Sequence, residues 1–231
     1  MEKLIVLATV FLAALSALSR TAQDQTRPGS SPAFPIASLP KLELHGSIPT
    51  IFATLVKEAN LSGGVAGLEE ECLRSEESMS ITAGTNFDTA LASFAKLRAR
   101  STWQHNDGVA NLFPTGAVLQ LLQVQIASFT WDATTPIPEV IAQLRRLPEV
   151  TQEVWRLGLR EAPFEGGGSA MCVRGDCTPQ PRPQPSLKTE KEVPLVTLLN
   201  RIVRAHKGGV WDYEERRCGS STSFSLTVIS E

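Results

Sequence analysis

Residues 87–112 read FDTALASFAKLRARSTWQHNDGVANL, and residues 195–228 read LVTLLNRIVRAHKGGVWDYEERRCGSSTSFSLTV. In the first stretch Phe87, Leu91, Phe94 and Ala95 fall at i, i+4, i+7 and i+8, the apolar stripe of a helix that packs on one side. Trp103 then opens a strand, Asn106-Asp107-Gly108 is a hairpin signal, and Val109 and Leu112 lie on the return strand closed by Pro114. In the second stretch Leu195, Leu199, Ile202, Val203 and Trp211 have the same mutual spacing. A polar turn follows, after which Phe224, Leu226 and Val228 alternate as a last strand. A helical stripe alone is generic. Stripe, tryptophan and hairpin recurring in one order point to a unit present twice, and so to an α+β fold of two similar lobes, each a short β-sheet with helices on one face.

The sequence outside these stretches fills in each lobe. Leu42-Glu43-Leu44 alternates as a short strand, and Ile48-Pro49 opens a helix carrying Ile51, Phe52, Leu55 and Val56, with Pro49 suited to a first turn. Val65 and Leu68 belong to a short glycine-bounded strand, Met79 and Ile81 to another, and Asn86 is placed to cap the helix that begins at Phe87. In the second half Leu122, Val124 and Ile126 alternate as a strand. Pro136 and Pro138 precede a helix bearing Val140, Ile141, Leu144 and Leu147, and Pro148 starts one with Val154, Trp155 and Leu157. A helix is predicted from about Val193 to Ala205, then a strand around Val210–Tyr213. The expected domains are 41–115 and 116–231, the second interrupted by a Gly/Pro-rich insertion at 165–187, where prolines without an amide donor stop helix and central strand alike.

The first half, His45-Gly46-Ser47-Ile48-Pro49 leading into TIFATLVKEAN and SMSITAGTNFDTALASFAKLRA leading into STWQHNDGVANLFP, resembles the short N-terminal domain of bacterial secretins and TonB-dependent receptors. The resemblance covers roughly Leu42 to Pro114, with residues 122–230 a more divergent second copy. It implies a small sheet with two helices on one face, an envelope location and protein–protein contacts, and it brings no catalytic residues. The acidic run EEECLRSEES at 69–78 departs from the pattern, as does the lack of a following barrel or pore domain.

Residues 1–19 read as a cleavable signal peptide. Lys3 supplies the positive start, Leu4 to Leu18 the uncharged apolar run, and Ala17 and Ser19 the small residues before a cut at Arg20. The run is shorter than the roughly 20 residues that span a bilayer, so an uncleaved anchor is the weaker reading and no membrane span is expected after cleavage. Residues 20–40 form a Pro/Ser/Thr-rich tether. A formal charge of −2 and 42% hydrophobic residues describe an ordinary globular chain and argue against a nucleic-acid partner. In an exported chain Cys72, Cys172, Cys177 and Cys218 suggest two disulfides with three connectivities. Because Cys72 is the only cysteine of the first half, any complete pairing ties the halves together. A zinc site is the competing reading, weakened by the absence of a neighbouring histidine.

Candidate sites are few. Arg174-Gly175-Asp176, between Cys172 and Cys177, would present Arg174 and Asp176 on a tight turn like an integrin-read adhesion loop, though Gly175 explains the turn without adhesion. Gly166-Gly167-Gly168-Ser169 lacks the Lys-Ser/Thr of a phosphate loop and reads as linker. His45, His105 and His206 have no accompanying nucleophile motif, and His206 suits the negative end of a helix. The acids Glu69, Glu70, Glu71, Glu76 and Glu77 read as a solvated run, not a glycosidase pair. Among Trp103, Trp131, Trp155 and Trp211, core packing is expected in general, with Trp131 the best candidate for an exposed stacking platform. No catalytic, cofactor-binding or metal residues are assigned. The expectation is a non-enzymatic periplasmic or extracellular protein that binds another envelope protein. The rivals are a secreted hydrolase with a site between the lobes and a structural subunit of a homo-oligomer.

Overall fold

In the computed structural model the described residues are 38–69, 76–97, 101–162, 186–218 and 221–229. They all lie within one compact unit, 34–231. The signal peptide, most of the tether, residues 70–75 with Cys72, and the Gly/Pro-rich segment with Cys172, Arg174, Asp176 and Cys177 lie outside the described residues.

The chain is mixed α+β. Its first half runs β1 (Leu42–Gly46), α1 (Ile48–Glu58), β2 (Ser62–Glu69), β3 (Glu77–Ile81), α2 (Phe87–Leu97), β4 (Ser101–Asn106) and β5 (Val109–Pro114). A 3₁₀ turn at Gln120–Gln123 follows. The second half runs β6 (Gln125–Asp132), α3 (Ile137–Arg145), α4 (Pro148–Arg156), β7 (Arg160–Glu161), β8 (Leu187–Pro194), α5 (Leu195–Ala205), β9 (Val210–Cys218) and β10 (Ser221–Ile229).

Local chemistry accounts for the boundaries. Ser47 is extended and its Oγ accepts from Thr50 N–H, capping α1, with Pro49 in the first turn where its missing N–H costs nothing. Asn86 caps α2, its Oδ1 accepting from Asp88 N–H at 2.8 Å. Asp107 and Gly108 both take positive φ, 54° and 76°, and close the β4–β5 hairpin. Two expectations shift and one strand was not foreseen. Leu122 sits on the 3₁₀ turn, so β6 starts only at Gln125. Residues 187–194, whose last two were assigned to the predicted helix, form strand β8, which the run LKTEKEVP hides because none of its residues is fully buried. The two-residue β7 carries no alternation to read.

Pairing repeats between the halves. β1 is antiparallel to β3, and β6 to β8. The hairpin β4–β5 corresponds to β9–β10. β2 runs parallel to β5, and β7 parallel to β10. The halves do not close separate principal sheets, however. β2 pairs in parallel with β9 from Gly63↔Val210 to Glu69↔Arg216, which makes one six-stranded sheet in the order β4-β5-β2-β9-β10-β7.

Helices cover both faces of this sheet. One face buries Val65, Ala110, Leu112 and Val210 beneath α1 (Phe52, Leu55, Val56) and α2 (Phe87, Leu91, Phe94). The other buries Ala66, Val109, Trp211, Tyr213, Phe224 and Leu226 beneath α3 (Val140, Leu144) and α5 (Leu198, Leu199, Ile202, Val203). The neighbours Val65/Ala66, Val109/Ala110 and Val210/Trp211 go to opposite sides, as the period of two in a strand requires. Each half thus has its helices on one face, and the two faces are opposite ones. No helix among the described residues is long and apolar enough to cross a membrane.

The junction strand reads SGGVAGLE because it is packed on both faces and both edges. A side chain at Gly63 would meet Phe52 at 2.9 Å and Val56 at 3.0 Å. One at Gly64 would overlap the Trp211 indole, which lies across the strand at that point. Replacing Gly64 by alanine is therefore expected to cost about 3 kcal/mol, the upper range for overpacking a filled core. A urea unfolding midpoint that did not move would contradict this packing.

Candidate functional site

The tryptophans sort by strand geometry. Trp211 is fully buried, and its Nε1 donates to Asn200 Oδ1 at 2.7 Å, so the α5 side chain satisfies the one polar atom of the indole. Trp131, expected to be exposed, is only 3% accessible and stacks on Phe129 with ring centroids 5.8 Å apart. The reason lies across the ribbon. Glu192 takes a φ of 52°, and the ladder between β6 and β8 is interrupted opposite it, at Ala127. Ile126 before that break and Phe129 and Trp131 after it all face the core, a change of phase that strict alternation does not show. The exposed aromatic is Trp155 on α4, 87% accessible, where a core position was expected.

The histidines are dispersed and structurally employed. His45 Nδ1 lies 2.8 Å from Ser78 Oγ, directly opposite on the β1–β3 ribbon, a cross-strand polar pair of the kind that stabilises ribbons. His206 follows α5, its ring bridging the carbonyls of Ile202 and Thr135 at 2.9 Å each. His105 is on β4. Among the described residues no group of three His, Cys, Asp or Glu side chains is placed to hold a metal ion. Cys218 ends β9 and is disulfide-bonded.

A hollow of about 550 Å³ beside Trp131 is lined by charge: Asp107, Lys188, Glu190, Arg201 and Arg204. Its guanidiniums are engaged. Arg201 pairs with Glu190, and Arg204 donates to the Asp107 carbonyl at 2.7 Å, tying the β4–β5 turn to α5. On β9 sits a set of buried polar residues that the sequence did not signal. Glu214 receives two bonds from Arg216, at 2.8 and 3.2 Å. Tyr213 OH donates to Glu215 Oε1 at 2.6 Å inside the core. The pattern DYEERR looks like a solvated face, yet beside β2 it is buried as far as Glu215.

The remaining feature is an edge. β4 ends the six-stranded sheet, and among the described residues nothing pairs with its outer side. Thr102, Gln104 and Asn106 are exposed, whereas Trp103 and His105 are half-buried. Trp103 packs against the core under α2. A strand edge with no described strand beside it, carrying the aromatic anchor Trp103, is a place for strand addition. Comparison of the chain with family models, with characterised proteins and with solved structures gives no match to any of them.

The Tyr213 environment makes a pH prediction. Burial first, and then the hydrogen bond and charge of Glu215, push its phenol well above the ordinary tyrosine value. The folded chain keeps the proton where an unfolded one loses it near pH ~10. The contribution to stability is therefore whole below that pH and lost as pH rises above it. Tyr213 is the only tyrosine, so tyrosinate absorbance reports it alone. The absorbance should rise only together with unfolding. Ordinary titration near pH ~10 with the fold intact would contradict the buried pair.

Proposed function

We propose that the protein is an exported component of a bacterial envelope that works by binding another protein and performs no chemistry of its own. The observation that carries this reading is the outer side of β4, with which no described strand pairs, a sheet edge with a half-buried tryptophan and alternating exposed polar side chains. Such edges bind extended segments through main-chain hydrogen bonds, with side-chain pockets giving selectivity.

Three further features favour it. The N-terminal residues have the charge and apolar pattern of an export signal. Cys218 is disulfide-bonded, which suits an oxidising compartment. The histidines and the buried acids whose partners are described above make structural contacts. The resemblance to the short N-terminal domain of secretins and TonB-dependent receptors points the same way, towards contacts with other envelope proteins.

The test is crosslinking in intact cells followed by mass spectrometry of what is joined to this chain. One dominant envelope protein is expected, with links concentrated near β4. Only self-links would favour a homo-oligomeric subunit, and no specific product would remove the interaction reading.

A further inference from the structure

The β2–β9 junction supplies a template for what the β4 edge takes. The element order and pairings of the first half recur in the second, so that α2, β4 and β5 correspond to α5, β9 and β10. Both helices have 11 residues, and Trp103 and Trp211 stand at the same spacing beyond them. On β9 the outer edge is occupied. β2 lies there in parallel, with Gly63 N–H donating to the Gly209 carbonyl at 3.1 Å. The odd-numbered residues of β9 therefore turn their backbone groups outward, and Trp211 spreads its indole over Gly64. The glycine is required there because no Cβ fits.

By the same correspondence Trp103 and His105 turn their backbone groups to the outer side of β4, beside which no described strand lies. Trp103 is half-buried where Trp211 is fully buried, which is the difference expected for an indole that lacks the neighbouring strand. We propose that the outer edge of β4 is a second strand-acceptor, built like the filled one on β9. Its occupant is an extended segment of a partner protein, running parallel to β4, with glycine opposite Trp103 and a small residue opposite His105. In the filled junction the matching positions are Gly64 opposite Trp211 and Ala66 opposite Tyr213. The residues between these positions project to the other face and are free to vary. A second copy of this chain is poorly suited as donor. The strand at the far end of the sheet, β7, is the two exposed residues Arg160 and Glu161, with neither glycine nor length to reproduce the junction. This inference rests on the protein-binding reading above and gives it a site and a ligand chemistry.

The probe is the peptide NLSGGVAGLE, the chain's own residues 60–69, added to the isotope-labelled mature protein and followed through backbone amide resonances. Saturable shifts are expected at Ser101–Asn106. They should weaken about tenfold or more, that is by about 1.4 kcal/mol or more, when the peptide carries Gly64→Val, since its side chain would overlap the indole. Equal binding of both peptides, shifts confined to β9 or no shift at all would overturn the proposal. So would concentration-dependent doubling of mass with broadening of the β4 amides when no peptide is present, which would make a second copy the occupant. A peptide that fails while cellular crosslinking still finds a partner would leave the binding function and move its site elsewhere. A peptide that binds at β4 while no cellular partner is found would keep the edge and remove the function.

Discussion

The Trp211 indole lying on the backbone of Gly64 is the contact on which the rest of the fold depends. It joins the last third of the chain to the first, because β2 and β9 lie more than 140 residues apart and share no local reason to meet. Once they pair, the two three-stranded groups become one sheet, and α5 is set against β2 as well as against its own hairpin. Asn200 completes the arrangement by accepting the indole N–H, so the aromatic surface is buried without an unpaired donor. A strand covered on both faces and paired on both edges has room only for small residues at its closest approaches, and SGGVAGLE satisfies that constraint.

The arrangement has a definite symmetry. β2, β5 and β9 run one way and β4, β7 and β10 the other. The first half is ordered β4-β5-β2 and the second β9-β10-β7, so left-to-right order is kept while direction and helix-bearing face are both reversed. A half-turn about a line crossing the strands, with a shift of three strands or about 14 Å, relates the halves. An operator of this kind does not close on itself. Among the described residues it leaves β4 with no strand on its outer side, while the two-residue β7 and its two charges blunt the other end, a common defence of sheet edges.

Much of this was legible in the sequence and the rest was not, for identifiable reasons. Local signals held: the Asn86 cap, the Pro49 and Pro148 starts, the Asp107-Gly108 turn and the stripes of α2 and α5 are all determined within a few residues, whereas the Ser47 cap of α1 was not singled out. What failed was set by partners far away. Val210–Tyr213 reads as a short strand, but its pairing with β2 extends burial to Glu214 and Glu215. β8 escaped notice because its exposed face leaves only charges to read. Trp131 was placed on the wrong side because a left-handed Glu192, on the other strand, changes the phase of its own. The β4 edge could not have been chosen from the sequence, since its openness is defined by which strands pair elsewhere.

The β2–β9 junction makes the two halves one cooperative unit. Native-state hydrogen exchange of the backbone amides addresses it directly, because exchange reports which segments open together. The amides of β2, β5 and β9 are predicted to be the slowest in the chain, exchanging with one common free energy equal to that of global unfolding. Were the amides of β9 to exchange through an opening that leaves β2 and β5 protected, the halves would be separate domains resting against each other. The contact of Trp211 with Gly64 would then not be what holds the halves together.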